Sequence, residues 1–320
     1  MCEVEIGGQR IDKHYSQWLQ IYSELKGDLG QPIAADNNNP AVGGTDPTHY
    51  ANVGFAQMVG DDVHTTGTAR VTVPLRFWFC NNPGLALPLI ALQYHEVKIK
   101  ITFSQTTDHT NVSSISDTKL LVDYIYLDTD ERRRFAQVSH EYLIEQVQHE
   151  GKVTATVAGS SANITVNYNH PVKYIAWAVQ DATAAAGLHF KSLANLGELI
   201  GTAGEEGSGK LMLNGNDRFE ARTMDYFTRV QPYQHFGVSI PDNRIGVYSF
   251  ANNPIEHQPS GTCNFSRIDS AIWQIKFATQ TAGGTTTTND VAATDSLYMF
   301  AVNYNVLRIM SGMGGLAYSN

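Results

Sequence analysis

The chain has 320 residues, carries 22 Lys and Arg against 31 Asp and Glu for a formal charge of -9, and is 42% hydrophobic but only 17% charged. That length suits two β-sandwich domains, the apolar content supplies real cores, and the acidity gives no general footing on a phosphate backbone. No run of 18 apolar residues could span a bilayer, the opening MCEVEIGGQR lacks a signal-peptide core, and Cys2, Cys80 and Cys263 form no CxxC pair, which fits cytosolic synthesis.

The first predicted element is a short helix between Asp12 and Leu25. Tyr15, Trp18, Leu19, Tyr22 and Leu25 fall on one helical face, with Asp12 placed as the N-cap. Residues 27–67 follow as a long loop rich in Gly, Pro, Asn and Asp, without a sustained period. Strand patterns then recur, with β-branched and aromatic residues in short runs bounded by turn formers, over residues 71–79, 97–103 and 120–127. The one dense charge run, DTDERRR over residues 128–134, separates these from a second series, and the domain boundary is placed near Phe135. That series covers residues 142–148, 153–157, 164–168 and 172–179, then 272–277 and 297–307, with a second long loop over residues 278–294. Loops of this length in a compact protein usually serve as functional surfaces.

An internal repeat links the two halves. At an offset of 208, Gly7 falls on Gly215, Arg10 on Arg218, Trp18 on Tyr226 and Leu19 on Phe227. FCNNP at residues 79–83 answers FANNP at residues 250–254 at offset 171, residues 101–103 answer 275–277 at 174, and residues 124–127 answer 304–307 at 180. Four matches in one order, with offsets changing only across loops, indicate two copies of one β fold. The fall from 208 to 171 assigns 37 extra residues to the first copy, in the 27–67 loop. The predicted fold class is all-β, a tandem pair of antiparallel jelly rolls over residues 1–134 and 135–320.

The same residues offer little catalytic chemistry. A cupin-like metal enzyme shares the architecture, yet the 11 His residues include no HxH pair, and His95 and Glu96 fall on opposite faces of a predicted strand. Residues 204–210 (GEEGSGK) approach a phosphate-binding loop, but Leu211 stands where a metal-binding hydroxyl is needed, and Glu205 and Glu206 would repel phosphate. No GxSxG elbow occurs, and Asp61-Asp62 lies in an apparent loop with no apolar pocket to tune it. Arg132, Arg133 and Arg134 are nearly cancelled by Asp128, Asp130 and Glu131, which suits an interdomain or intersubunit ion-pair cluster better than a nucleic-acid patch. The NNP motifs at residues 81–83 and 252–254 read as turns leaving strands, and Tyr15, Trp18 and Tyr22 as core packing. A jelly-roll carbohydrate-binding module remains a third reading without a sequence feature of its own. No catalytic, cofactor-binding or metal-ligating residue is assigned.

Residues 77–99, FWFCNNPGLALPLIALQYHEVKI, closely resemble the signature of the major capsid proteins of nucleocytoplasmic large DNA viruses, especially algal ones. EIGGQRID at residues 5–12, DERRRF at 130–135 and VNYNVLRI at 302–309 resemble the same family. The resemblance implies a double jelly roll that forms homotrimeric, pseudo-hexagonal capsomers tiling an icosahedral shell around an internal membrane. It further implies partnership with neighbouring capsomers and minor capsid proteins, no direct contact with nucleic acid, only indirect contact with the inner membrane, and assembly in the host cytoplasm.

One departure concerns the start of the chain. At offset 208, Leu211 answers Glu3, so the 76 residues from Phe135 to Lys210, with several strand patterns, have only Met1 and Cys2 as counterpart. The N-terminal jelly roll is therefore expected to lack its first three or four strands in this chain. Either a separate polypeptide supplies them or the chain is a fragment of a longer product.

Overall fold

The computed structural model describes residues 1–27, 54–59, 70–103, 114–155, 160–180, 190, 193, 206–240, 243–278, 281–282, 285–286 and 295–318. Most of the predicted 27–67 and 278–294 loops, including Asp61 and Asp62, lie outside the described residues.

The strands begin with β1 (Cys2–Ile6), β2 (Gln9–His14), β3 (Val97–Ile101), β4 (His140–Gln148), β5 (Val153–Thr154) and β6 (Ser161–Thr165). They continue with β7 (Pro171–Gln180), β8 (Ser208–Leu213), β9 (Asn216–Asp217), β10 (Arg222–Thr223), β11 (Ile245–Ser249) and β12 (Cys263–Asn264). The last are β13 (Ala271–Lys276), β14 (Thr281–Ala282), β15 (Thr285–Thr286), β16 (Ser296–Met310) and β17 (Met313–Leu316). The helices are α1 (Ser16–Lys26), α2 (Gly54–Val59), α3 (Trp78–Asn81) and α4 (Thr129–Gln137), with two consecutive π-helical segments, Tyr226–Val230 and Pro232–Phe236.

Two compact units result. The first takes in Met1–Ser16, Arg76–Gln148 and Val302–Asn320. Its three-stranded sheet has the order β2-β1-β3, all antiparallel. Strand β1 alternates strictly, burying Cys2, Val4 and Ile6 while Glu3 and Glu5 face outward to Lys13 and Lys100. Gly7 and Gly8, at φ 58° and 82°, make the two-residue turn into β2, a geometry that favours glycine. Strands β4 and β17 pair with β16, which enters this unit from Val302 onward.

The second unit takes in Gln17–Leu75 and His149–Ala301 and is a sandwich of two sheets. One has the order β10-β8-β13-β6; the other contains β11-β7-β16. Their inner faces share one cluster, Leu211 and Trp273 from the first meeting Ile175, Trp177 and Met299 from the second. At its centre the Trp177 and Trp273 rings lie 4.8 Å apart, a contact worth about 0.5 to 1.5 kcal/mol beyond its burial. Strand β7 is buried from Val172 to Val179 on both faces, because α1 sets Trp18 against Tyr174 (6.3 Å) and Phe300 (5.5 Å) on the side away from the cluster. Gly27 ends α1 at φ 76°, its amide donating to the Glu24 carbonyl.

Several predicted elements shift. Asp12 is not a helix cap; it lies in β2, and α1 starts at Ser16. The buried face of α1 is Trp18, Ile21 and Leu25 with Ser23 and Glu24, while Leu19 and Tyr22 are half-buried. Residues 71–79 do not form a strand. Residues 71–76 are in no ladder, and the chain turns at Phe77 into α3, where the Asn81 amide donates to the Arg76 carbonyl. The first NNP motif therefore leaves a helix, whereas Asn252 and Pro254 do follow strand β11. Residues 120–127 form no strand either, and 128–134 opens helix α4.

The repeat survives with one correction. The turn residues Gly7 and Gly8 answer Asn214 and Gly215, at φ 50° and 77°, so β1 maps onto β8 at an offset of 207 and Leu211 answers Val4, both fully buried. Beyond it the second copy takes one more residue, five from Asp217 to Arg222 where the first takes four from Arg10 to His14 around its Val4/Glu5 bulge, and this restores 208. Cys2 then sits between His14 and Ile101 as Gly209 sits between Arg222 and Ile275, at offsets 208 and 174. The pattern in the sequence placed the first block one residue out because glycine at Gly7 looks like glycine at Gly215, whereas asparagine also tolerates the left-handed turn position.

Candidate functional site

The most chemically suggestive cluster lies in the first unit. Cys2 faces His14 across the β1–β2 ladder, and His14 Nε2 lies 2.9 Å from Asp12 Oδ2, an order of groups resembling nucleophile, base and orienting carboxylate. All three are buried, at 5%, 2% and 4% exposure, and His14 stacks on Phe77 at 4.3 Å. Burial pushes the Cys2 thiol up to about 11, so it offers no thiolate near neutral pH. Asp12 instead acts as a brace, its Oδ1 accepting from the Lys13 and Val147 amides and tying β2 to β4. Beside it, the Gln146 amide donates to the Ile11 carbonyl, and Asn305 donates to Gln146 Oε1 at 2.9 Å.

In the second unit, Glu24 of α1 and Arg244 form a buried ion pair, Arg244 Nε donating to Glu24 Oε2 at 3.1 Å. Nearby, Arg229 donates to Asn243 Oδ1 at 2.9 Å and pairs with Asp225 at 3.5 Å. Arg229, Tyr233 and Asn243 border an open cleft of about 580 Å³. Its one cation is already neutralised, and its other walls set the aliphatic Val230, Val238 and Ile240 beside the uncharged Gln234 and Ser239, so the cleft offers no unpaired charge to a small ligand. None of these groups had a signal in the sequence: Glu24 and Arg244 are 220 residues apart.

The residues weighed from the sequence are dispersed. His95 precedes β3 and packs its Nδ1 at 2.9 Å from the Gly314 carbonyl, while Glu96 pairs with Lys98 at the surface. Lys210 belongs to strand β8 and pairs with Asp217 at 3.1 Å, so it caps no phosphate loop; Glu205 lies outside the described residues. Arg132, Arg133 and Arg134 lie on the exposed helix α4, where the Arg133 to Asp130 pair at 3.7 Å is local and Glu131 reaches back to the Asp128 amide. Trp18 is core, packed as described above. Among the described residues no group of three or more His, Cys, Asp or Glu is arranged to hold a metal ion, and no helix is long and apolar enough to cross a membrane.

What the geometry offers is thus a paired β scaffold and its surfaces. The family model for the major capsid protein N-terminus matches residues 1–128, and that for the large eukaryotic DNA virus major capsid protein matches residues 131–315. The chain belongs to the major capsid protein family of large eukaryotic DNA viruses. The major capsid protein of Pyramimonas orientalis virus is 47% identical over 99% of this chain and 76% of its own length. That of Paramecium bursaria Chlorella virus 1 is 41% identical over 99% of this chain and 78% of its own length. A crystal structure of the Chlorella virus protein VP54 superposes with a TM-score of 0.70 at 40% identity, covering 100% of this chain and 83% of that one. As a major capsid protein the chain is a structural, jelly-roll component of a virus capsid and not an enzyme. The cupin-like and carbohydrate-binding readings find no counterpart among these relatives.

Proposed function

We propose that the chain assembles as a homotrimer whose six lobes, two from each subunit, make a pseudo-hexagonal capsomer, and that such capsomers tile the outer icosahedral shell of a large double-stranded DNA virus. The observation that carries this reading is the duplicated ladder, in which His14, Cys2 and Ile101 recur as Arg222, Gly209 and Ile275. Two like lobes per subunit and a three-fold ring give six similar edges, and closed cyclic contacts of this kind are the rule for symmetric assemblies. The copies divide near Phe135, as residues 1–134 and 135–320, a division supported by the two family matches ending at 128 and starting at 131. Its partners are neighbouring capsomers and minor capsid proteins, and assembly takes place in the host cytoplasm. No side chain has a catalytic, cofactor or metal role.

Mass photometry of the purified chain tests the assembly: three times the 35.2 kDa subunit mass is expected, and a stable monomer at micromolar concentration overturns it. Metal analysis of the same sample addresses the role of the side chains, since stoichiometric transition metal would contradict a purely structural protein. Imaging of infected cells locates assembly.

A further inference from the structure

Two consecutive residues tie the β16–β17 hairpin to the entry of β3. The Tyr94 amide donates to the Gly312 carbonyl in the hairpin turn at 3.0 Å. His95, half-buried, then sets a single atom, Nδ1, 3.0 Å from the Gly314 amide and 2.9 Å from the Gly314 carbonyl. The hairpin register makes both groups available. The Ala317 amide donates to the Val306 carbonyl, which marks a hydrogen-bonded pair, and such pairs alternate along an antiparallel ladder. Gly314 and Ile309 therefore form a pair without ladder bonds, and the Gly314 backbone turns its donor and its acceptor away from β16 towards the ring.

One nitrogen cannot serve both groups. Without a proton Nδ1 accepts from the Gly314 amide; with one it donates to the Gly314 carbonyl and sets its own N–H against the amide. Orphaned N–H groups are rarer in folded proteins than under-satisfied carbonyls, so the neutral ring takes the Nε2–H tautomer and holds the amide. The ring cannot swing away towards the β1–β2 turn, because it lies so close to Gly7 that a Cβ there would overlap it. Charges on the surrounding elements are already matched. Glu5 of β1 pairs with Lys100, and Glu3 with Arg10 and Lys13 of β2, where His14 lies against Asp12. Glu96, next to the ring, pairs with Lys98, and Arg308, across the ladder from Gly315, pairs with Glu141. None of them is left over to hold or expel a proton at His95.

We propose that His95 is a proton-sensitive latch on β17. In its neutral form Nδ1 holds the Gly314 amide; on gaining a proton it lets that amide go, donates to the Gly314 carbonyl instead, and loosens β17 from the β1–β2 turn. The Tyr94 amide is then the hairpin's remaining tie to the entry of β3. Histidine changes charge between about pH 8 and about pH 5, so mild acid works the latch. The proposal concerns closure of the first unit and does not rest on the trimer.

Hydrogen exchange of the full chain, read by mass spectrometry on peptides covering Met313–Leu316 and corrected for the intrinsic rate, tests it at about pH 7.5 and about pH 5. The Gly314 amide should lose at least tenfold in protection at the lower pH, while Ile245–Ser249 keeps its own. In His95→Gln the side-chain amide both accepts and donates at either pH, so the difference should vanish. Equal protection of the parent chain at the two pH values overturns the proposal, and so does a loss of equal size in His95→Gln. The ring nitrogen shifts of the parent chain give a readout that needs no variant. A proton on Nε2 alone is expected at about pH 7.5, and a proton on Nδ1 there would sink the latch.

Discussion

Gly246 of β11 stands directly across the ladder from Trp177, and a Cβ there would overlap the indole. Gly246→Ala must therefore push the ring off its contact with Trp273 or bend the strand. Overpacking of this kind costs about 1 to 3 kcal/mol, to be read as a lowered guanidinium midpoint followed by tryptophan fluorescence. The Glu24–Arg244 pair makes a second test. Losing one partner leaves a buried charge uncompensated, so Glu24→Leu or Arg244→Met alone should lose about 3 to 5 kcal/mol, while the double replacement recovers most of it. A cycle in which the two losses simply add would show that the charges do not interact. The Cys2 thiol adds a pH dependence: its folded value, about 11, lies above the ordinary 9.0, so the unfolded chain releases the proton first as pH rises. Its contribution to stability is whole below pH 9 and is lost as pH rises towards 11. Cys2→Ala should flatten that part of the stability profile relative to the parent chain.

At the scale of elements, Asp12 decides how β2 is held. Asp12→Ala would strand the Val147 amide and the His14 ring in a buried site, a loss of about 2 to 3 kcal/mol, and the Val147 amide should exchange faster with solvent. The sequence suggested a helix cap at this position because aspartate ahead of an apolar period usually is one; its partner lies 135 residues away and leaves no local trace. Elements that pack into the shared core were legible. Residues 172–179, 272–277 and 297–307 appear as β7, β13 and β16 within a few residues of the expected bounds, because each lays at least one face into that core between paired neighbours. Residues 71–79 and 120–127 carry equally good strand patterns and form none, since pattern reports the propensity of a segment and a ladder needs a neighbour. The buried ion pair and the Asp12 brace were illegible for the same reason, being properties of pairs distant in the chain.

At the scale of the molecule, the first unit is assembled from three separated stretches, with Val302–Asn320 joining residues near the start. A chain ending at Ala301 would lose β17, half of β16 and the partners of Gln146 and His95. It should give dispersed amide signals for the second unit but not for the first, and a truncated chain with both sets intact would refute this threading. The same feature sets a timetable. Ile6 and Val97 can pair early, but His95 waits for Gly314, 219 residues later, and loop closure over such a distance is slow. During synthesis the second unit can complete while the ribosome still holds the segment that the first requires. Closure of the first unit thus falls after Gly314 has been made, and any association that requires this unit cannot begin before that point.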